Sequence, residues 1–396
     1  MKQIAIVGGG PAGALCGERL ANAGLDVTIY DEKLAWEKPC GGGLTHKAIA
    51  AYPFLLDAPQ PKKIVRTAEL ISSRGHRARF EMSRPIVIYA RKVLNGLLLE
   101  RAEEAGCKTV RSRVTSVQTS GEKVRLVSGG EQILSDFVVL AAGARNQLLP
   151  ETTPLGASDL EITLGYFVPT QEDLIKVKFL KKFEGYLWSF PREDHLSVGI
   201  CGKMAQNSSA ILRGHLENFI SEEKIPLEGA RFYSHVLPSP QARTIRERRI
   251  AGKNWAMAGD AAACVDPVTG EGLFYALKSG DLLAQALING QPESYPEQLR
   301  AAFSADLELA ADLARKLFRG TFLGAAITTR MVQMLKRSPT FRELIRDVFS
   351  GSQDYRSLKG RLWNQLGISM AEFVRSFVSP ASPTVSSRTA DGGAAR

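Results

Sequence analysis

The chain has 396 residues, enough to bury a sizeable core and to form two domains with a further helical piece. Hydrophobic residues make up 44% and charged residues 23%, an ordinary globular balance that excludes disordered and fibrous classes. A formal charge of +10 admits an anionic surface as partner, but nucleic-acid binding would rest on charge alone, without a motif, and is not expected. Five scattered cysteines (Cys16, Cys40, Cys107, Cys201 and Cys264) with no C-x-x-C pair point to a reduced, cytoplasmic setting and not to a disulfide framework. The five histidines have no zinc-type spacing, so no metal is expected. The glycines at Gly8 to Gly13 interrupt any leader-like apolar core, and no run is long and apolar enough for a bilayer span.

In chain order, Gln3 to Val7 reads as a short apolar strand. It runs into Gly8-Gly9-Gly10-Pro11-Ala12-Gly13, then a helix through Leu15 and Leu20, then a strand from Val27 to Tyr30 ending at Asp31. Gly8, Gly10 and Gly13 fit G-x-G-x-x-G. The first glycine allows a tight turn, the second lets backbone approach a pyrophosphate, and the third lets helix and strand pack closely. Asp31 falls about twenty residues on, where a carboxylate takes ribose hydroxyls. The spacing therefore predicts dinucleotide binding.

Residues 64–80 read as two strands around the turn Ser73-Arg74-Gly75. A strand from Ile86 to Ala90 leads to Arg91 and a helix, and 110–139 read as a β-meander. From Glu161 to Cys201 come strands rich in aromatic and β-branched residues. Tyr186, Trp188 and Phe190 are spaced by two, so they face one side, either as core or as the wall of a pocket. Trp255 to Ala258 is an apolar run that breaks at Gly259-Asp260. A small-residue loop with Pro267, Gly270 and Gly272 then opens a helix at about Leu273. That helix start has bare N–H groups, which favour an anion by about 0.3–1 kcal/mol. After Tyr295 the texture is helical and basic, broken at Gly320 and Gly324. Residues 379–396 are small and polar and read as a disordered tail.

These motifs resemble known flavoproteins. Gly8 to Gly13, Asp31-Glu32 and Gly259-Asp260 resemble the FAD fingerprints of the para-hydroxybenzoate-hydroxylase-like superfamily. The resemblance implies cofactor contacts from Gly8, Gly10, Pro11, Ala12, Gly13, Asp31, Glu32, Arg91, Val114 (by backbone, against adenine), Gly143, Gly259, Asp260, Gly270 and Gly272. Three smaller segments are similar to the geranylgeranyl reductases: Lys38-Pro39-Cys40-Gly41-Gly42-Gly43-Leu44, Tyr186-Leu187-Trp188-Ser189-Phe190-Pro191, and Asp266-Pro267 through Gly272. They add Cys40, Gly41 and Gly42 beside the flavin, and Tyr186, Trp188 and Phe190 as substrate lining. Two departures stand out. Ala142-Gly143 replaces an Asp-Gly pair linked to NAD(P)H use in many hydroxylases, and Asn95 replaces an aspartate.

The resemblance implies an α/β protein in which a Rossmann-like FAD-binding domain (1–62, 84–155 and 246–296) carries an inserted antiparallel β-sheet substrate domain (63–83 and 156–245). A helical C-terminal region (297–378) follows. The implied activity is reduction of isoprenoid carbon–carbon double bonds by reduced FAD, with NADPH or a ferredoxin-like protein as electron donor. The protein would be cytoplasmic and peripheral on the inner face of the membrane through its basic C-terminal helices. Alternatives are a flavin monooxygenase acting on an aromatic or polyketide-like substrate and a non-catalytic flavin-binding protein. Cys40 is either the proton donor or a small packing residue. A thiol is mostly protonated at neutral pH, whereas a carboxyl would need its pKa raised to serve.

Overall fold

The computed structural model describes residues 3–145, 147–149 and 152–378, so the tail expected at 379–396 lies outside the described residues. Five parallel strands form the first sheet, in the order Trp255–Met257, Phe137–Leu140, Gln3–Val7, Asp26–Tyr30, Lys108–Val110. Ile4, Ile6, Val27, Ile29 and all of Phe137–Leu140 are buried, as a sheet covered on both faces requires. Each such Ile or Phe contributes about 1.5–3 kcal/mol by leaving water. The helices Pro11–Asn22 and Leu273–Ile288 pack on this sheet and on each other. Their approach is close because Gly280 faces the Ala12 backbone, where a Cβ would come within 3.0 Å of the Ala12 carbonyl carbon. The meander expected at 110–139 is a separate three-stranded sheet, Val114–Gln118, Val124–Ser128 and Glu131–Ser135.

An eight-stranded sheet makes the second layer, in the order Arg231–Pro238, Leu160–Val168, Leu196–Lys203, Gly185–Pro191, Leu174–Lys178, Lys63–Ile71, Arg77–Ile88, Gly43–Leu44. It is antiparallel except where Leu174–Lys178 runs parallel to Lys63–Ile71. Those two strands belong to chain excursions about a hundred residues apart, so no hairpin fixes their relative direction. Two glycines on this sheet make room for rings. A Cβ at Gly199 would lie 2.8 Å from both Trp188 Cε2 and the Tyr233 hydroxyl, and one at Gly165 would collide with the Tyr233 ring, so the aromatic side chains can lie flat over the strands.

The third layer is helical: Ala305–Arg319, Ile327–Arg337, Pro339–Ser350 and Tyr355–Val378, with a short hairpin of Thr321–Phe322 and Ala325–Ala326 at the expected break. Phe318, Val332, Leu335 and Ile345 close a core against Leu70, Phe80, Ile88 and Val177 of the second sheet. Among the described residues no helix is long and apolar enough to cross a membrane. The fold is the mixed α/β architecture expected from the sequence, with a parallel sheet, a larger mostly antiparallel sheet and C-terminal helices.

Candidate active site

One cavity of about 920 Å³ runs between the three layers. At one end its wall is backbone. Gly8, at φ +108, sits so close to the Ala141 carbonyl that no side chain fits, and Gly13 lies equally close to the Gly8 carbonyl. Gly13 therefore lets the helix pack on the strand, as its place in the motif predicts. Gly10 and Gly143 differ from these two: a Cβ on either would meet no atom within 4 Å. Both line the cavity, so their missing side chains leave space for a ligand and not for the protein. The helix Pro11–Asn22 starts at Gly10 with no side-chain cap, and the helix Leu273–Ile288 starts at Gly272 in the same way. Two uncapped N-termini thus bound one space, an arrangement suited to an anion.

Charged side chains complete this end. Asp31 accepts from the Gly9 N–H through Oδ2 (2.7 Å) and from the Lys33 and Leu34 N–H groups through Oδ1 (2.7 and 2.9 Å). It ties two turns together and keeps lone pairs for a hydroxyl donor. Lys38 Nζ pairs with Asp260 Oδ2 at 2.7 Å. Burial works to raise the Asp260 carboxyl, but Lys38 and then Arg91 outweigh it and hold the group below the usual aspartate range. Arg91 is 4% exposed, donates to Asn95 Oδ1 at 3.3 Å, and has a buried Nε with no partner. An orphaned guanidinium N–H and two open glycine positions on one wall fit a dinucleotide. His235, which belongs to no sequence motif beyond its lack of zinc spacing, also lines this end. Burial first, then Lys38, Arg91 and Arg145, push it down to about 4.

The three reductase-like segments meet in the middle of the cavity. Gly42, at φ +83, abuts the Tyr89 carbonyl, and Cβ atoms at Gly41 and Gly43 would lie 3.1 and 3.3 Å from the Phe190 ring. The Tyr186 hydroxyl donates to the Thr269 carbonyl at 2.6 Å, beside Gly270. One strand thus presses Phe190 on the first glycine loop and Tyr186 on the second. Cys40, the one cysteine that is not buried, lines the cavity between them, and its Sγ accepts from the Gly42 N–H at 3.3 Å. Its carbonyl accepts from Arg192 (2.6 Å) and Ser197 (3.1 Å).

Arg192 and Glu37 stand outside every sequence motif, yet they hold this loop. Arg192 is fully buried and pairs with Glu37, which also accepts from the Arg91 and Lys92 N–H groups at 2.9 Å each. Glu37 thereby caps the Arg91 helix from outside it. Burial pushes its carboxyl up, but Arg192 and the two amides together bring it below the ordinary glutamate value. Arg192 directly follows the Gly185–Pro191 strand, and an arginine ending so apolar a run was the available signal.

Beyond these loops the wall turns apolar. Trp188 and Val177 come from the sheet, and Phe318, Met331 and Phe349 from the helices. One of the carboxyls that line the cavity, Glu161, stands on the second sheet. Glu161 is raised above the ordinary glutamate value by burial, which Lys203 only partly offsets. Strand alternation puts Glu161 on the same face as Thr163, but its neighbour Cys201 lies forty residues on, so sequence spacing could not mark the pair.

Of the expected site residues, Gly8, Gly10, Pro11, Ala12, Asp31, Cys40, Gly41, Gly42, Arg91, Gly143, Tyr186, Trp188, Phe190, Gly259, Asp260, Gly270 and Gly272 all line this one cavity. Three are elsewhere. Gly13 packs behind the wall, Glu32 faces Arg113 at 3.9 Å near the surface, and Val114 is buried at the start of its strand.

A parallel dinucleotide-type sheet joined to a large second sheet over a shared cavity frames the site, and the sequence matches make the chain an oxidoreductase. The model of the family "Pyridine nucleotide-disulphide oxidoreductase" matches residues 2–182. By sequence the chain is similar to proteins named geranylgeranyl diphosphate reductase and menaquinone reductase. It is 26% identical over 360 residues to a geranylgeranyl diphosphate reductase of Synechocystis, covering 83% of this chain and 84% of that protein. It is 28% identical over 357 residues to a menaquinone reductase of Mycolicibacterium smegmatis, covering 81% and 85%. A solved geranylgeranyl bacteriochlorophyll reductase-like protein from Thermoplasma acidophilum has the same fold, with TM-score 0.74 and 18% identity over 92% of this chain and 99% of that one.

Proposed function

We propose that this protein is an FAD-dependent reductase of carbon–carbon double bonds in an isoprenoid chain. The observation that carries the reading is the continuity of the cavity: a glycine- and cation-lined dinucleotide end opens into an apolar channel between sheet and helices. The names of its relatives support the same substrate class. FAD, when bound and reduced, supplies the hydride. Gly8, Gly10 and Gly143 leave room for it, and Lys38 and Arg91 balance its charge. The ion pair and hydrogen bonds from Arg192 fix the loop that carries Cys40. The apolar wall of Val177, Phe318 and Phe349 seats the prenyl chain and excludes water. Hydride adds to one alkene carbon and a proton to the other, and we assign that proton to the Cys40 thiol, which water then reprotonates. The Gly42 N–H takes one sulfur lone pair and leaves the S–H free to turn toward the channel.

Electrons reach the cofactor from NADPH or a ferredoxin-like protein, and the cytoplasmic protein draws its substrate from the membrane's inner face. The decisive experiment is anaerobic incubation of dithionite-reduced holoprotein with geranylgeranyl lipids and menaquinone, read by mass spectrometry. Products heavier by pairs of hydrogens are expected. A product that forms only in air and carries an added oxygen would establish the monooxygenase instead, and a flavin that turns over no polyprenyl substrate would leave a binding protein.

A further inference from the structure

We propose that the outward face of the helix Tyr355–Val378 is a docking surface for an anionic lipid bilayer, holding the mouth of the cavity against the membrane. The proposal rests on the lipid-substrate reading above and adds the element that makes the contact.

The helix is fixed by its inward side. Tyr355, Leu358 and Phe373 are buried, the Tyr355 hydroxyl donates to Asp266 Oδ2 at 2.8 Å, and the N–H groups of Tyr355 and Arg356 donate to Asp306 at 3.1 and 2.9 Å. Its other side is cationic. Arg356, Lys359, Trp363, Ile368 and Arg375 all point outward, and no carboxylate is among the exposed described residues of this helix. The acids nearby are already engaged. Asp354 accepts from the Ser357 N–H and hydroxyl, Asp347 pairs with Arg361 at 2.6 Å, and Glu372 accepts from the Thr340 hydroxyl at 2.8 Å and from Ser338. The exposed charged residues described on the helix itself are thus cationic, while Asp354 and Glu372 beside them keep their own negative charge.

It also carries exposed apolar bulk. Trp363 is 80% exposed, the most exposed large hydrophobic side chain among the described residues, and Ile368 is 57% exposed. Folding gains nothing from leaving an indole in water. At a bilayer surface the same ring takes the headgroup level that tryptophan favours, while flanking cations meet anionic lipid. The small residues Gly360, Gly367 and Ala371 between them let the helix lie close to a flat surface.

The channel opens beside this face. Ser352, Asp354, Arg356 and Ser357 are exposed and also line the cavity, so the channel reaches the surface at the first turn of this helix. A shallow recess lined by His46, Lys47 and Arg84 adjoins it there, sharing Lys47, Gly351 and Ser352 with the main cavity. A bilayer against Trp363 would put prenyl chains next to that opening.

The test uses holoprotein with vesicles of phosphatidylcholine alone or mixed with phosphatidylglycerol. Wild type should co-sediment with the mixed vesicles, release with salt, and show Trp363 emission quenched by brominated acyl chains. Lys359→Glu should weaken partition about fivefold or more, since each cation at such a surface counts about that much, and Trp363→Ala should remove the brominated-lipid quenching. Both variants should reduce a detergent-dispersed substrate at the wild-type rate, which separates this proposal from the catalytic one. A protein that binds vesicles but reduces nothing would overturn the reductase reading alone. Wild-type partition untouched by either substitution, or absent altogether, would overturn the docking surface. So would a dimer in sedimentation velocity that Trp363→Ala dissociates, because the face would then belong to a second copy of the chain.

Discussion

The two ends of the cavity are built by different means. The dinucleotide end is shaped by backbone: Gly8, Gly10 and Gly143 set its wall, two helix starts point N–H groups at it, and Lys38, Arg91 and Asp260 supply charge. The channel end is shaped by side-chain volume, with Val177 and Trp188 from a sheet facing Phe318, Met331 and Phe349 from helices more than a hundred residues later. A backbone-shaped wall fixes its ligand's geometry closely and tolerates no added atom. A wall of packed side chains can change its bore by repacking at modest cost. The first suits a cofactor that never varies, and the second a family of prenyl chains that differ in length and head.

The sharpest way to break that contrast is to add one side chain to the rigid end. Gly10 has φ −75, open to any residue, and a Cβ there meets nothing within 4 Å. Gly10→Val should therefore fold with an apo melting temperature within a few degrees of wild type, while its added methyls stand where a pyrophosphate would pass. FAD affinity should fall by about 100-fold or more, as expected when a ligand must clash or lose its backbone donors. A substitution made on the channel side, such as Val177→Ala, should leave FAD affinity unchanged. Undiminished flavin uptake by Gly10→Val would show that the ligand lies elsewhere.

What could be read ahead of the structure follows the same division. The Gly8–Gly13 turn, Asp31 and Gly259-Asp260 were legible because tight backbone needs glycine and a hydroxyl-binding carboxylate needs a fixed spacing, and both are local in sequence. Tyr186, Trp188 and Phe190 were legible as a face because strand alternation is local too. The buried pairing of Arg192 with Glu37 was not, since the two residues are 155 positions apart and neither belongs to a motif. Glu161 escaped for the same reason: its raised pKa comes from burial under strands that only the folded chain assembles. The parallel junction in the second sheet also has no local signal.

A smaller effect separates Cys40 from Glu161, two titratable groups on the cavity wall. Cys40 is held by the rigid loops, whereas Glu161 stands on the sheet among Cys201 and Thr163. If the proton comes from the rigid end, Cys40→Ala should retain FAD and slow double-bond reduction by about 100-fold, within the range of general-acid catalysis. Glu161→Gln should then change the rate less than about threefold. Single-turnover oxidation of the reduced flavin by substrate, followed spectroscopically under argon, reads both. The reverse order would move the donor to Glu161, with a pH profile that falls as that raised carboxyl ionises. Equal, small effects would leave water as the proton source.

The smallest expected effect lies where the two ends are joined. Asp266 is 2% exposed and sits in the loop before the helix Leu273–Ile288. Its Oδ1 accepts from the Val268 N–H at 2.8 Å and bends that loop, while its Oδ2 accepts from the Tyr355 hydroxyl of the last helix. Tyr355→Phe keeps the ring and its packing and deletes only the donor, leaving one carboxylate oxygen buried without that bond. An orphaned buried acceptor costs about 1–3 kcal/mol, enough to lower the melting temperature by several degrees in a chain this size. The informative readout is FAD release. If the hydroxyl links the helical wall to the cofactor loop, flavin should leave the variant several-fold faster, and an added Asp266→Asn should change that rate little further because both substitutions break the same link. A melting temperature that falls while the release rate stays at the wild-type value would mean that Tyr355 only holds the helix, and that the two ends of the cavity are mechanically independent.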